Sequence, residues 1–184
     1  MASATIYAIF LRGINVGGVN IKMADLRKAL GTLPLNRYST LLATGNIVCE
    51  AESSAPEVKS LVEDCLRSSF GYDAWVVVLT AARLKELVAA CPFPADSAEQ
   101  HSYVTLSSDL GVLDELDAAA AKLDGGTGVR LGPEALAWLA PVGGTLDSPF
   151  SKIASKAKFK AVTTTRNLRT LIKVADAANA MQPS

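Results

Sequence analysis

The sequence predicts an α+β protein of two interlocked ferredoxin-like (βαββαβ) halves, a duplicated alpha-beta plait, and three observations carry that prediction. Apolar runs follow the order strand, helix, strand, strand, helix, strand, with one extra helix behind them. The same order returns in the second part of the chain with different residues, a repeat of architecture and not of sequence. The fourth strand, Trp75 to Leu79, has neither a charge nor a polar face. As the edge of a lone four-stranded sheet it would template aggregation, so the following helix or the second half must cover it. The halves are residues 1–91 and 92–184, with the short stretch Pro92 to Gln100 as the candidate boundary.

Residues 5–12 are apolar on both faces and predict an interior strand. A helix is expected over Met23–Leu30, stopped by Gly31. Arg37–Ala43 and Ile47–Glu50 read as a hairpin around Thr44-Gly45-Asn46, where Gly and Asn tolerate positive φ. Ser54 caps a long helix whose apolar positions Val58, Leu61, Val62, Cys65, Leu66 and Phe70 keep helical spacing, and Gly71 ends it. After the Trp75 strand, Thr80 caps a helix that stops before Pro92. The second round comprises a strand over 102–106, a helix over 112–123, and a hairpin of 128–131 with 135–139. A helix over 149–158, a short strand over 161–163 and a closing helix over 167–178 complete it.

A chain of 184 residues buries roughly two-thirds of its unfolded surface. Hydrophobic residues at 49% and charged residues at 20% are the composition of a soluble globular protein. No uncharged apolar run approaches the ~18 residues of a membrane span. The opening apolar stretch lacks the basic lead of a signal peptide. Cys49, Cys65 and Cys91, with no CxxC spacing, point to a reducing, cytoplasmic setting. The net charge of zero hides a split: residues 1–49 sum to +4, 50–124 to −9, 125–147 to −1 and 148–184 to +6. Basic ends docked on an acidic middle, or simply solvated, explain this as well as a basic face for an anionic ligand does.

Chemistry concentrates in the glycine loop Leu11-Arg12-Gly13-Ile14-Asn15-Val16-Gly17-Gly18, between a strand and a helix. Gly13 and Gly18 have the outer spacing of a P-loop, but Val19-Asn20 stand where Lys and Ser or Thr are required, and GxGxxG is not matched either. A nest of backbone N–H groups for an anion survives this test, beside the alternative of a tight turn that needs glycine for geometry alone. Arg12 and Lys22 supply nearby charge. In the basic C-terminal segment, Ser151-Lys152 and Thr163-Thr164-Thr165-Arg166-Asn167 stand out. One threonine is expected to cap the closing helix, with Arg166 in its first turn, where the macrodipole disfavours a cation unless an anion sits beside it. His101 is the sole histidine and reads as structural. Glu63-Asp64 and Asp114-Glu115 read as solvated helix faces. Neither the histidine nor the cysteines suit a metal site, and no cofactor is implied.

The glycine loop, Thr44-Gly45-Asn46, Pro92-Phe93, Ser151-Lys152 and Thr164-Thr165-Arg166-Asn167 together resemble the bacterial family catalogued as domain of unknown function 1697. Members usually carry Ser-Gly-Asn in place of Thr44-Gly45-Asn46, Asn in place of Cys91 and Trp in place of Leu168. The last departure argues against a base-stacking role at that position. The resemblance implies ferredoxin-like halves and no established activity. It groups Arg12, Asn15, Asn46, Lys152, Arg166 and Asn167 as the polar residues to follow.

The leading expectation is a ligand-binding protein whose site joins the glycine loop to the two late segments around a phosphate or carboxylate. Arg12, Asn15, Gly17, Gly18, Thr44, Asn46, Ser151, Lys152, Thr164, Arg166 and Asn167 would line it. Nucleic-acid binding by the basic termini is the alternative, with few strand aromatics and no RNP pattern in its favour. An enzyme on an anionic small molecule, with Lys152 or Cys91 reactive, is a third reading. A structural protein in which Arg12 and Arg166 pair with buried acids is the fourth. The sequence specifies no oligomeric state.

Overall fold

The computed structural model describes residues 3–15, 19–125 and 128–183. Among these lie two four-stranded antiparallel sheets and seven helices. The first sheet has the order β2-β3-β1-β4 and the second β6-β7-β5-β8. Contacts divide the chain into two compact units, Met1–Leu84 with Lys173–Ser184, and Lys85–Ile172.

In the first unit β1 (Thr5–Leu11) runs between β3 (Asn46–Ala51) and β4 (Val76–Thr80), and β2 (Arg37–Leu41) is an edge strand. Alternate residues Tyr7, Ile9 and Leu11 of β1 join Ile47 and Cys49 of β3. They pack with Leu26 and Leu30 of α1 (Met23–Leu30) and Val58, Val62 and Leu66 of α2 (Ala55–Phe70). The intervening Ala8 and Phe10 are fully buried too, which is why β1 reads as apolar on both faces. The Glu57 carboxylate accepts from the backbone N–H and the hydroxyl of Ser54 at the start of α2, both at 2.7 Å. Gly71, at φ 64°, ends that helix. The hairpin strand expected to reach Ala43 stops at Leu41, because Leu42 already turns to φ 58°. Thr80 Oγ1 accepts from Arg83 N at 3.1 Å at the start of α3 (Ala81–Ala90).

In the second unit β5 (Gln100–Ser107) lies between β7 (Ala135–Pro141) and β8 (Thr163–Asn167), with the short β6 (Val129–Gly132) outside β7. The core joins Leu113, Leu116 and Ala120 of α4 (Leu110–Ala120) to Leu136, Trp138 and Ala140 of β7, with Phe150 and Phe159. The helix expected over 149–158 is divided into α5 (Pro149–Ala154) and α6 (Ala157–Lys160), because Lys156 is extended at ψ 141°.

The strand before the closing helix α7 (Leu168–Ala180) differs most from expectation. It spans Thr163–Asn167, not 161–163, so Arg166 does not occupy a first helical turn. Arg166 pairs with Val104 and Thr165 with Thr105 across β5 and β8. Threonine serves both as a cap and as a β-branched strand former, and here the strand preference prevails. Asn167, not one of the threonines, takes the expected capping role: its Oδ1 accepts from Arg169 N at 2.9 Å, while residues 163–165 lie in the strand.

Candidate functional site

At the end of β1, Arg12 N donates to Trp75 O at 3.1 Å and extends the β1–β4 ladder by one step. Gly13 at φ 66° and Asn15 at φ 56° then turn the chain through the left-handed region. Asn15 braces this turn, its Nδ2 donating to Ile21 O (3.1 Å) and Ala43 O (2.7 Å) and its Oδ1 accepting from Ile21 N (2.9 Å). The amide expected to orient a ligand therefore holds the loop to the β2–β3 turn. Asn46 is fully buried and its Nδ2 donates to Leu41 O (3.0 Å) and Thr44 Oγ1 (2.9 Å), so both residues knit that turn. Gly17 and Gly18 lie outside the described residues.

Gly45 closes the junction between turn and loop. It has φ 77°, its carbonyl accepts from Leu11 N at 2.9 Å, and a Cβ there would lie 2.8 Å from Ile14 Cδ1 and Leu11 Cβ. A Cβ on Gly13 would meet nothing within 4 Å. Gly45→Ala should thus cost about 2–4 kcal/mol, combining left-handed strain with overpacking. Gly13→Ala should cost only the strain, about 1–2 kcal/mol. Urea denaturation curves check the ranking, and equal losses would refute the packing component.

Arg12 is half-buried, and Nη2 donates to Asp73 O at 3.0 Å. It forms no ion pair among the described residues, and its Nε is buried without a partner. Tyr72 Oη and Trp75 Nε1 share that condition, and these are the three such side-chain atoms among the described residues. Burial leaves each donor unsatisfied at a cost of about 1–3 kcal/mol. Burial also pushes the Tyr72 hydroxyl up to about 12, against the opposing pull of the Arg12 charge, with Glu63 adding to the rise. The phenol is therefore a protonated donor throughout the neutral range.

The same segment is held by α2. Lys59, Glu63 and Arg67 follow one another at i, i+4, i+8 on one helix face. Glu63 was expected on a solvated face; instead it is buried, and its Oε1 accepts from Val76 N at 3.0 Å. Its carboxylate pairs with Lys59 and, at 3.6 Å, with Arg67 Nη2. Lys59 Nζ also donates to Val76 O (2.8 Å) and lies 3.9 Å from the centre of the Trp75 ring, while Arg67 Nη2 donates to Ala74 O (3.0 Å). Spacing alone places these charges on a helix; only packing reveals that they face the Tyr72–Val76 segment.

The late candidates belong to the second unit. Arg166 is 7% exposed, and Nη1 donates to Thr164 Oγ1 (2.6 Å) and Thr165 O (3.0 Å). Burial lowers its guanidinium to about 10, which leaves it cationic at neutral pH. Ser151 N donates to the capping hydroxyl of Ser148 at 3.2 Å, and Lys152 is exposed on α5. Sequence reasoning missed an aromatic stack in this unit. Trp138 lies 4.8 Å from Tyr103 and 4.5 Å from Phe150 between ring centroids, at 23° and 24°. Beside it is a cavity of about 90 Å³ lined by Trp138, Phe150, Leu123 and Ser148 among others. The signal available was a tryptophan as the sole aromatic in an otherwise alanine- and leucine-rich strand.

Two of the three thiols are pushed away from the reactive thiolate form. Burial raises the Cys49 thiol to about 12 and also raises Cys91, the opposite of a primed thiolate. His101 sits edge-on to Tyr103, 6.2 Å between centroids. Among the described residues no group of three or more His, Cys, Asp or Glu could hold a metal ion, and no helix is long and apolar enough to cross a membrane.

Fold and site together define an α+β protein with two antiparallel four-stranded sheets and a cationic donor cluster at the end of the first. The chain belongs to the family described as "Protein of unknown function (DUF1697)", whose model matches residues 4–136. Among solved structures it is similar to the conserved bacterial protein SP0830 from Streptococcus pneumoniae, with a TM-score of 0.78 at 23% identity, covering 96% of this chain and 99% of that one. That likeness supports the fold. An unknown protein from Galdieria sulphuraria matches at a TM-score of 0.27 and 13% identity over 90% of this chain and 98% of that one. No curated protein matches.

Proposed function

We propose that this protein binds a phosphate- or carboxylate-bearing ligand, with Arg12 as the principal cation. The observation that carries this reading is a half-buried guanidinium that meets one backbone carbonyl and no carboxylate among the described residues, at the entry to a left-handed glycine turn. An anionic ligand would supply the counter-charge that this guanidinium does not find among the described residues. In the second unit Lys152 is solvent-exposed, and the burial of Thr164 and Arg166 favours a structural role for those two. The strand orders support reading each sheet as a ferredoxin-like unit and the chain as their duplication. Free Cys49, Cys65 and Cys91 suit a reducing, cytoplasmic setting.

Thermal melts with increasing inorganic phosphate at constant ionic strength test the reading. Stabilisation should reach about 2.7 kcal/mol at a hundredfold excess over Kd in the parent protein. Arg12→Ala should lose most of that response. An identical response in the two proteins would remove Arg12 from the site.

A further inference from the structure

We propose that Tyr72 and Trp75 are ligand-binding residues, and that with Arg12 they form an oxyanion site on the Tyr72–Trp75 segment. This rests on the anion reading of Arg12 and extends it to two side chains beyond the glycine loop. The three buried donor atoms without a partner, Arg12 Nε, Tyr72 Oη and Trp75 Nε1, are not scattered. Tyr72 and Trp75 flank Asp73-Ala74, and Arg12 is tied to the same segment by its Nη2 to Asp73 O at 3.0 Å and its N to Trp75 O at 3.1 Å. Folded proteins satisfy nearly all buried polar groups, so two failures within one short segment and a third on the arginine bonded to it mark a site and not a packing accident.

The chemistry of the three groups selects the ligand. Guanidinium and indole N–H groups donate and cannot accept, and the phenol donates while protonated. Their common complement is a group rich in acceptors. The surrounding charge sharpens the choice to an anion: Arg12, Lys59 and Arg67 all bind this segment. Glu63, the buried carboxylate nearby, is engaged by Val76 N, Lys59 and Arg67 and does not compete for the three donors. Asp73, also in the segment, is exposed, and what Arg12 takes from it is its carbonyl.

The chain has two tryptophans, so its indole N–H groups give two resolvable resonances. Trp138 Nε1 already donates to Thr105 Oγ1 at 3.0 Å and serves as an internal reference. In the 15N-labelled full chain, with peaks assigned by Trp75→Phe, titration with inorganic phosphate or with acetate should move the Trp75 indole proton downfield in a saturable way and leave Trp138 in place. Tyr72→Phe removes a hydroxyl that has no partner, so without added anion it should melt at the parent temperature or above. The same variant should bind the responding anion roughly threefold to tenfold more weakly. A Trp75 resonance unmoved by either ion, while phosphate still stabilises the protein through Arg12, would overturn this site and leave the Arg12 reading intact. Loss of both responses would overturn the two together. Undiminished affinity in Tyr72→Phe would remove Tyr72.

Discussion

Trp138→Ala should destabilise the second unit by about 3–5 kcal/mol, a large loss for a single side chain. Three contributions add. The ring is 3% exposed, so truncation opens a cavity in a core shared with Leu113, Leu116 and Phe159. Its stacks on Tyr103 and Phe150 contribute about 0.5–1.5 kcal/mol each beyond burial. Its Nε1 donates at 3.0 Å to Thr105 Oγ1, which in turn shares a 2.8 Å hydrogen bond with Thr165 Oγ1, so the indole links β7, β5 and β8. Trp138→Phe retains the stacking ring and forfeits the hydrogen bond, and about 1–2 kcal/mol is expected. Chemical denaturation followed by far-UV circular dichroism measures both. A loss under about 1.5 kcal/mol for the alanine variant would show that the stack relaxes around the gap.

That stack marks the division between what this sequence discloses and what it conceals. Met23–Leu30 is legible to the residue, because Leu26 and Leu30 set the period and Gly31 closes it. The strands Thr5–Leu11 and Val76–Thr80 are legible from unbroken apolar runs, and Gly71 from the left-handed stop it provides. Thr163–Asn167 is misleading because threonine fits two local structures, and cross-strand pairing with Leu106, Thr105 and Val104 decides between them. At the site, Arg12 is visible as a cation beside glycines. The bracing role of Asn15 is not, since its acceptors Ile21 O and Ala43 O are set by how two loops meet. Tyr72 and Trp75 are invisible for a deeper reason: lacking a partner is a property of the packed molecule, and no spacing rule encodes it.

Glu63 supplies the second large effect. Glu63→Ala should cost about 2–4 kcal/mol, because it deprives a buried N–H and Lys59 of their acceptor at once and Arg67 of one of its two carboxylate partners. Val76 N, at 3.0 Å from Oε1, would be left unsatisfied where β4 begins. Lys59 would lose its counter-charge, yet its side chain, 23% exposed, can swing toward water, and Arg67, 43% exposed, keeps Asp64 Oδ1 at 3.1 Å, which limits the damage. Glu63→Gln retains an acceptor for Val76 and removes only the charge, so about 1–2 kcal/mol is expected. The paired change Lys59→Met with Glu63→Gln separates the two components. If the Lys59–Glu63 ion pair carries the cost, the double variant should recover part of the Glu63→Gln loss, because no cation is stranded. If the weakening of the Val76 hydrogen bond, from a charged to a neutral acceptor, carries it, the double variant should be no more stable than Glu63→Gln alone. The comparison also bears on the anion site. Glu63 accepts from Val76 N and pairs with Lys59 and Arg67, not with the three donors, so the phosphate response should survive in Glu63→Gln even as the fold weakens. A variant that lost phosphate binding in proportion to its stability would show that the donor cluster depends on α2 for its shape.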